Sequence, residues 1–500
     1  MNSYHMKSSA AFKHWKTTSL LLFLLVVLGC AINPVSGKKQ LALMSEAEEI
    51  ALGAESDPQI IAEFGLYEDP KVQQFIESHG QEMVKVSHRP ELPFHFRILD
   101  SPVVNAFAVP GGYVYFTRGI MTYFNNEAEF AGVLGHEIGH VTARHSVDQY
   151  TKSIIAEVLL VGGMVLSKEI RAFANEAQIG MQLLLLKYSR DHESQSDQLG
   201  VEYSTKVGYD AREMADFFKT LKWLSDDAGA EIPTFLSTHP DPADRYEKVK
   251  QAALAWQAQL PRDAYIVNGD SYLRLIDGMV FGEDPRQGYV EAGVFYHPVL
   301  KFQYPVPADW ALENSPSQVQ MAPEDGNALI LLGLAPGDNL QSAANETAGQ
   351  LELTISATKP VSVNGLKGLE MMSYQTTGDP VSGDTATIKV QSLFIQYGDA
   401  IYVFHGVSLA GDFSKYKPVF DKTMYGFKEL HDPAKINVLP ERVRVVPVKA
   451  SGTLGQALNA YHIPTTRHRE LGIVNGMDVT DQVEAGALIK IVVRDQAGRP

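Results

Sequence analysis

The segment Val133 to His145, VLGHEIGHVTARH, restricts this chain more than any other stretch. An α-helix turns once per 3.6 residues, so His136 and His140 stand one above the other on one face, with Glu137 just beside them. Zinc takes nitrogen, sulfur or carboxylate donors in a tetrahedron, and a hydrolytic zinc site keeps one position for a water that a nearby carboxylate deprotonates. The spacing therefore supplies two candidate ligands and a candidate base. Asn126, with Glu129 three residues on, caps a helix that continues through the apolar positions Phe130, Val133, Leu134, Ile138 and Val141. An ordinary helix with two histidines at a chance spacing spells the same letters, so a third donor has to be found.

Downstream, SRDHESQSDQLG places Glu193 and Asp197 four residues apart and so on one helix face. One carboxylate of such a pair binds metal while the other accepts the ring N–H of a ligand histidine; a solvated acidic face is the plain alternative. Farther on, STHPDPADR holds His239 and Arg245 in a turn stiffened by Pro240 and Pro242, with Asp244 placed to cap the next helix.

Taken in order, His136-Glu137-x-x-His140, Glu193-x-x-x-Asp197 after Arg190, and STHPDPADR resemble the HtpX-like zinc metallopeptidases, the gluzincin group of the CAAX prenyl endopeptidase type, over roughly residues 45 to 260. The resemblance implies one Zn2+ per chain held by His136, His140 and Glu193, with Glu137 as general base and Asp197 behind a ligand histidine. It turns His239 and Arg245 toward the cleft. His239 then either donates to the oxyanion or binds the zinc itself and holds the site closed; Arg245 either pairs a carboxylate or steadies the intermediate. The run Gly112, Tyr113, Val114 and Tyr115, alternating after a glycine turn, suits an edge strand that takes up an extended substrate.

The rest of the chain says where such a site sits. A length of 500 residues allows about three domains, and a formal charge of −16 makes nucleic acid an unsuitable partner. Lys7, Lys13 and Lys16 precede the apolar run LLLFLLVVL, which is too short for a membrane span of about 20 residues and reads as an export signal over residues 1–29. Cys30, the only cysteine, follows in VLGC, which resembles a lipoprotein lipobox. Lipidation there implies a tether over residues 30–44, and Ala31 after the cysteine implies an outer-membrane lipoprotein facing the periplasm. The apolar stretch Ile154 to Leu166 reads as a buried helix or a membrane-facing lid.

The expected fold is α+β. A mainly helical zincin-type domain with a small sheet occupies residues 45–265, a linker 266–300, and an antiparallel α/β accessory domain 301–432. Residues 443–500 resemble a LysM module, with SGTL where that module opens G-D-T-L, and read either as a peptidoglycan binder or as a structural cap. The expected activity is zinc-dependent cleavage of unfolded or misassembled envelope proteins. Its alternative is a chaperone or assembly factor on a protease-like scaffold with a normally closed zinc site.

Overall fold

A computed structural model describes residues 30–41, 44–159, 188–228, 235, 239, 242–378 and 385–494. The expected export signal lies outside the described residues, as do residues 160–166 of the long apolar stretch. Among the described residues no helix is long and apolar enough to cross a membrane.

Helix α1 (Glu46–Phe64) opens on a capping box in which the Ser45 hydroxyl accepts from the Glu48 amide and the Glu48 carboxylate takes the Ser45 N–H. Helix α2 (Pro70–Val84) opens on Asp69, with Pro70 in the first turn, where a missing N–H costs nothing. A three-stranded sheet follows, made of β1 (His95–Leu99), β2 (Ala106–Val109) and β3 (Tyr113–Thr117) in the order β1-β3-β2.

That order corrects the expectation for Gly112 to Tyr115. Strand β3 is central, paired parallel to β1 from His95/Tyr113 to Leu99/Thr117 and antiparallel to β2 from Ala106/Phe116 to Val109/Tyr113. All of its residues are buried, so its apolar run reflects burial on both faces rather than an open edge. Gly112 serves the turn, since its φ of 93° suits glycine and a Cβ there would lie 2.2 Å from the Pro93 carbonyl. Strands β1 and β2 are the edges, and β2 is the one that lies along α3.

Behind the sheet stand α3 (Glu127–Thr142), α4 (His145–Leu159), α5 (Arg190–Val207), α6 (Glu213–Ala228) and α7 (Pro242–Gln259). Residues 266–300 are not a plain linker: α8 (Gly269–Ile276) buries Tyr272, Leu273 and Ile276 in the same core as α3, and β4 (Val280–Phe281) pairs with a strand near the C-terminus. Apolar residues at positions 272, 273 and 276 share one helix face, which is the signal that a reading by composition passes over.

The accessory unit is a seven-stranded antiparallel sheet, β5 (Trp310–Asn314), β6 (Gln318–Pro323), β7 (Ala328–Leu334), β8 (Thr354–Val363), β9 (Leu366–Gly378), β10 (Thr385–Tyr397) and β11 (Ala400–Leu409), in the order β5-β6-β7-β11-β10-β9-β8. Both faces are covered. Phe404 and Leu393 pack with Phe420 and Met424 of α10 (Phe413–Met424), while Val403 and Val390 on the other face pack with Ala343 and Ala344 of α9 (Leu340–Gln350).

The C-terminal segment folds as β12 (Glu441–Pro447), α11 (Leu454–Ala460), α12 (His468–Val474) and β13 (Leu488–Arg494), with the two strands antiparallel. Leu454, Leu458, Leu471, Val474 and Ile491 lie in one core with the helices around α3. Lys490 is fully buried, and its ammonium donates to the carbonyls of Thr122 and Phe124, at 2.9 Å each, just ahead of α3. Through these contacts the C-terminal segment packs on the helical unit built around α3.

Candidate metal centre

Helix α3 begins at Asn126, whose side chain accepts from the Glu129 amide, and every residue from Ala128 to Thr142 is buried. Helix α5 begins at Ser189, which caps the His192 amide and sets Glu193 in the first turn. The two helices touch backbone to backbone. A Cβ on Gly200 would fall 2.9 Å from the Gly132 carbonyl and 3.0 Å from the His136 amide nitrogen, so only glycine allows this approach. The close crossing carries the Glu193 carboxylate over the imidazoles of His136 and His140.

Four donors meet there. His136 Nε2 lies 3.0 Å from His140 Nε2 and 3.3 Å from His239 Nδ1. Glu193 Oε1 lies 3.4 Å from His140 Nε2 and 3.0 Å from His239 Nδ1, and Glu193 Oε2 lies 3.7 Å from His136 Nε2. A tetrahedral zinc with bonds near 2.0 to 2.1 Å separates its donors by about 3.3 Å, so these spacings fit that ion. Among the described residues this is the one group of four such side chains able to share a metal ion. With a metal bound, His239 would be placed to take the position where a hydrolytic site holds its water.

Glu137 supports the fit. Its side chain is fully buried, and among the described residues neither carboxylate oxygen has a hydrogen-bond partner. An unpartnered buried carboxylate is costly unless a further group meets it, and a metal-bound water is the group that this position calls for. The nearest charge-bearing side chain is His239, with Nε2 at 3.8 Å from Glu137 Oε1. Burial raises the Glu137 carboxyl above its usual range, against the pull of His239 and His136.

Glu193 behaves oppositely. Burial would raise it, but His239, His140 and Arg245 together hold it well below the usual carboxylate range. Burial keeps His140 well below the ordinary histidine value, so its ring is neutral and its lone pair is free for a metal.

Asp197 and Arg245 form the layer behind. His136 Nδ1 lies 3.0 Å from Asp197 Oδ1, and Arg245 clamps the same carboxylate through Nη2 at 2.6 Å and Nε at 2.8 Å. Arg245 Nη1 also approaches Glu193 Oε2 at 3.1 Å. Of the two roles open to Arg245, the geometry has it pairing carboxylates, with its guanidinium 4.2 Å above the Phe218 ring.

Two residues at the centre were not singled out from the sequence. His145 presents Nδ1 at 3.2 Å from His140 Nδ1, although it stands in the very stretch that drew attention. Regular helical spacing hides it, because α3 ends at Thr142 and Arg144 turns the chain with φ 58° before α4 begins. Tyr188 lays its ring 3.9 Å from that of His140, and no sequence pattern marks it. Cys30 lies in a short hairpin, Cys30–Ile32 paired with Lys39–Leu41.

With the geometry in hand, comparison with known proteins is informative. Residues 70–253 match Peptidase family M48. The chain is 29% identical over 230 residues to a beta-barrel assembly-enhancing protease of Yersinia pestis, covering 44% of this chain and 47% of that one. It is 30% identical over 195 residues to a putative beta-barrel assembly-enhancing protease of Vibrio cholerae, covering 37% and 40%. A mitochondrial metalloendopeptidase OMA1 of Arabidopsis thaliana is 28% identical over 191 residues, 38% of each chain. The chain thus spans less than half the length of these relatives, and the shared part is the unit that holds the four donors.

Proposed function

We infer that this chain, whose residues 70–253 form a Peptidase family M48 domain, is a zinc-dependent endopeptidase. The observation that carries the reading is the buried cluster of His136, His140, Glu193 and His239, whose donor atoms lie within 4.8 Å of one another, beside the Glu137 carboxylate that has no hydrogen-bond partner among the described residues. Zinc held there supplies an electrophile for the scissile carbonyl and a water of lowered pKa. Glu137 would accept the proton of the attacking water and return it to the leaving amine. Arg245 and Asp197 fix the His136 ring, and Arg245 also screens Glu193, so two ligands are held by one cation.

His239 sets the state of the site. His239 Nδ1 lies 3.3 Å from His136 Nε2 and 3.0 Å from Glu193 Oε1, so with zinc bound it would close the centre, and hydrolysis would require it to give way to water or substrate. Once displaced, His239 remains near enough to donate to the oxyanion. The closed corner also favours a second reading, a chaperone or assembly factor whose zinc site is normally shut. An extended substrate pairs with the edge strand β2, which lies along α3; there the Ala108 carbonyl already accepts from Ser146 Oγ at 3.2 Å and Tyr188 Oη at 3.4 Å, contacts that a substrate strand displaces.

Main-chain pairing is tolerant of sequence, which suits unfolded or misassembled envelope proteins as substrates. The VLGC motif at Cys30 and the relatives named for β-barrel assembly support an exported, outer-membrane-anchored protein acting in envelope quality control. Peptidoglycan binding by residues 443–500 rests on the LysM-like pattern alone; pelleting with purified peptidoglycan that is unchanged by substitution of the exposed residues of that segment removes it.

The test of activity is casein cleavage by the form beginning after Cys30, with and without chelator. Cleavage abolished by chelator and restored by zinc supports the peptidase. A gain in His239→Ala identifies a latch, and a loss identifies the oxyanion donor. Bound zinc with no cleavage by wild type or His239→Ala favours the scaffold reading.

A further inference from the structure

The two histidine ligands are held from behind in different ways. His136 Nδ1 faces the carboxylate of Asp197, whereas His140 Nδ1 faces another imidazole, that of His145, at 3.2 Å. When His140 gives its Nε2 lone pair to a metal, its proton resides on Nδ1 and must be donated. His145 Nδ1 is therefore the acceptor, joined by Ser196 Oγ as a second donor at 3.2 Å. The proton of His145 is then on Nε2, where the amide oxygen of Gln195 accepts it at 3.0 Å.

The same Gln195 oxygen accepts from Asn33 Nδ2 at 3.3 Å. Asn33 is buried, although it belongs to the short hairpin that starts at Cys30, far from this helix in sequence. Its Nδ2 also donates to the carbonyl of Ala143, the residue that ends α3, at 3.1 Å, and its Oδ1 accepts from the amides of Val35 and Ser36 at 2.9 Å each. One side chain thus closes the hairpin turn and ties it to both metal-bearing helices.

We propose that Asn33, Gln195 and His145 are positioning residues that orient the ligand His140 from the N-terminal hairpin, so that docking of the segment following Cys30 sets how tightly the centre holds its metal. The proposal rests on the zinc reading given above. His140 donates to His145 and His145 to Gln195, whose amide oxygen also accepts from Asn33, so removing a link loosens the tautomer and ring angle of His140. A hairpin serving only to pack against the domain needs no buried amide at this point.

The experiment measures zinc dissociation from the full chain by chelator competition, with melting of the zinc-free forms as the check on folding. Gln195→Leu and His145→Phe are expected to speed zinc loss about 10- to 100-fold, the usual effect of cutting a partner behind a ligand, and Gln195→Glu, which still accepts, is expected to stay near wild type. Asn33→Asp keeps the acceptor for Val35 and Ser36 but loses the donor, so it preserves the turn while breaking the link. It is expected to speed zinc loss severalfold with an unchanged zinc-free melting temperature. Zinc dissociation within twofold of wild type for both Gln195→Leu and Asn33→Asp overturns the proposal. A wild-type chain that binds no zinc sinks the metal reading itself, before any variant is compared.

Discussion

Asp197 shows how much one side chain does at this centre. It takes both arms of the Arg245 guanidinium and the Nδ1 proton of His136, so Asp197→Asn leaves a buried cation half paired and a single oxygen to serve three donors. We expect its zinc affinity to fall about 10- to 100-fold in chelator competition. A second residue reports on the accessory unit. His405 is buried against Ser392 at 2.9 Å, and burial lowers its pKa to about 4 from 6.5. Its folded value lies below the unfolded one, so the stability it contributes is complete above pH 6.5 and is lost as pH falls toward 4, about 3 kcal/mol across the window. Urea unfolding of His405→Gln between these pH values should show a shallower loss than wild type. At this scale His136, Glu137, His140, Glu193 and Asp197 were legible because helical spacing puts each pair on one face. His145 was not, since its approach depends on a break after Thr142, and that break rests on one residue with positive φ.

At the scale of elements, the crossing of α3 and α5 decides the site. Gly135, Gly139 and Gly200 bring two backbones into contact, and Glu193 reaches the histidines only because they do. Gly200→Ala should separate the helices, lower stability by about 1 to 3 kcal/mol and weaken zinc binding, measurable as a shifted urea midpoint and a faster zinc loss. Both helices were readable from their caps and apolar periods, but the glycines that set their distance carry no period. The small sheet shows the opposite failure. Tyr113 to Thr117 alternates as an edge strand would, yet pairing on both sides makes it central, and strand order is a long-range fact that a local pattern does not contain.

For the whole molecule, the C-terminal segment is the informative part. A LysM-like module hung on a linker would be dispensable to the peptidase unit, but here Leu454, Leu471 and Ile491 complete that unit's core, and Lys490 caps the carbonyls before α3. Truncation at Val443 is therefore expected to yield aggregated or zinc-poor protein, seen as lost solubility and metal content; a soluble, zinc-replete truncation would refute that role. The accessory sheet was foreseen as an antiparallel α/β unit because the composition turns to β-rich segments from Lys301, whereas the ordered elements within residues 266–300 were masked by their brevity. The central claim is that Glu137 works on a water held by zinc at this centre. It is tested most directly by measuring casein cleavage and zinc content in the same samples of wild type and Glu137→Gln, each with His239 both intact and replaced by alanine. We predict that Glu137→Gln leaves zinc content unchanged in either His239 background and slows cleavage about 10²- to 10⁴-fold. Undiminished cleavage in the zinc-replete Glu137→Gln forms would contradict it.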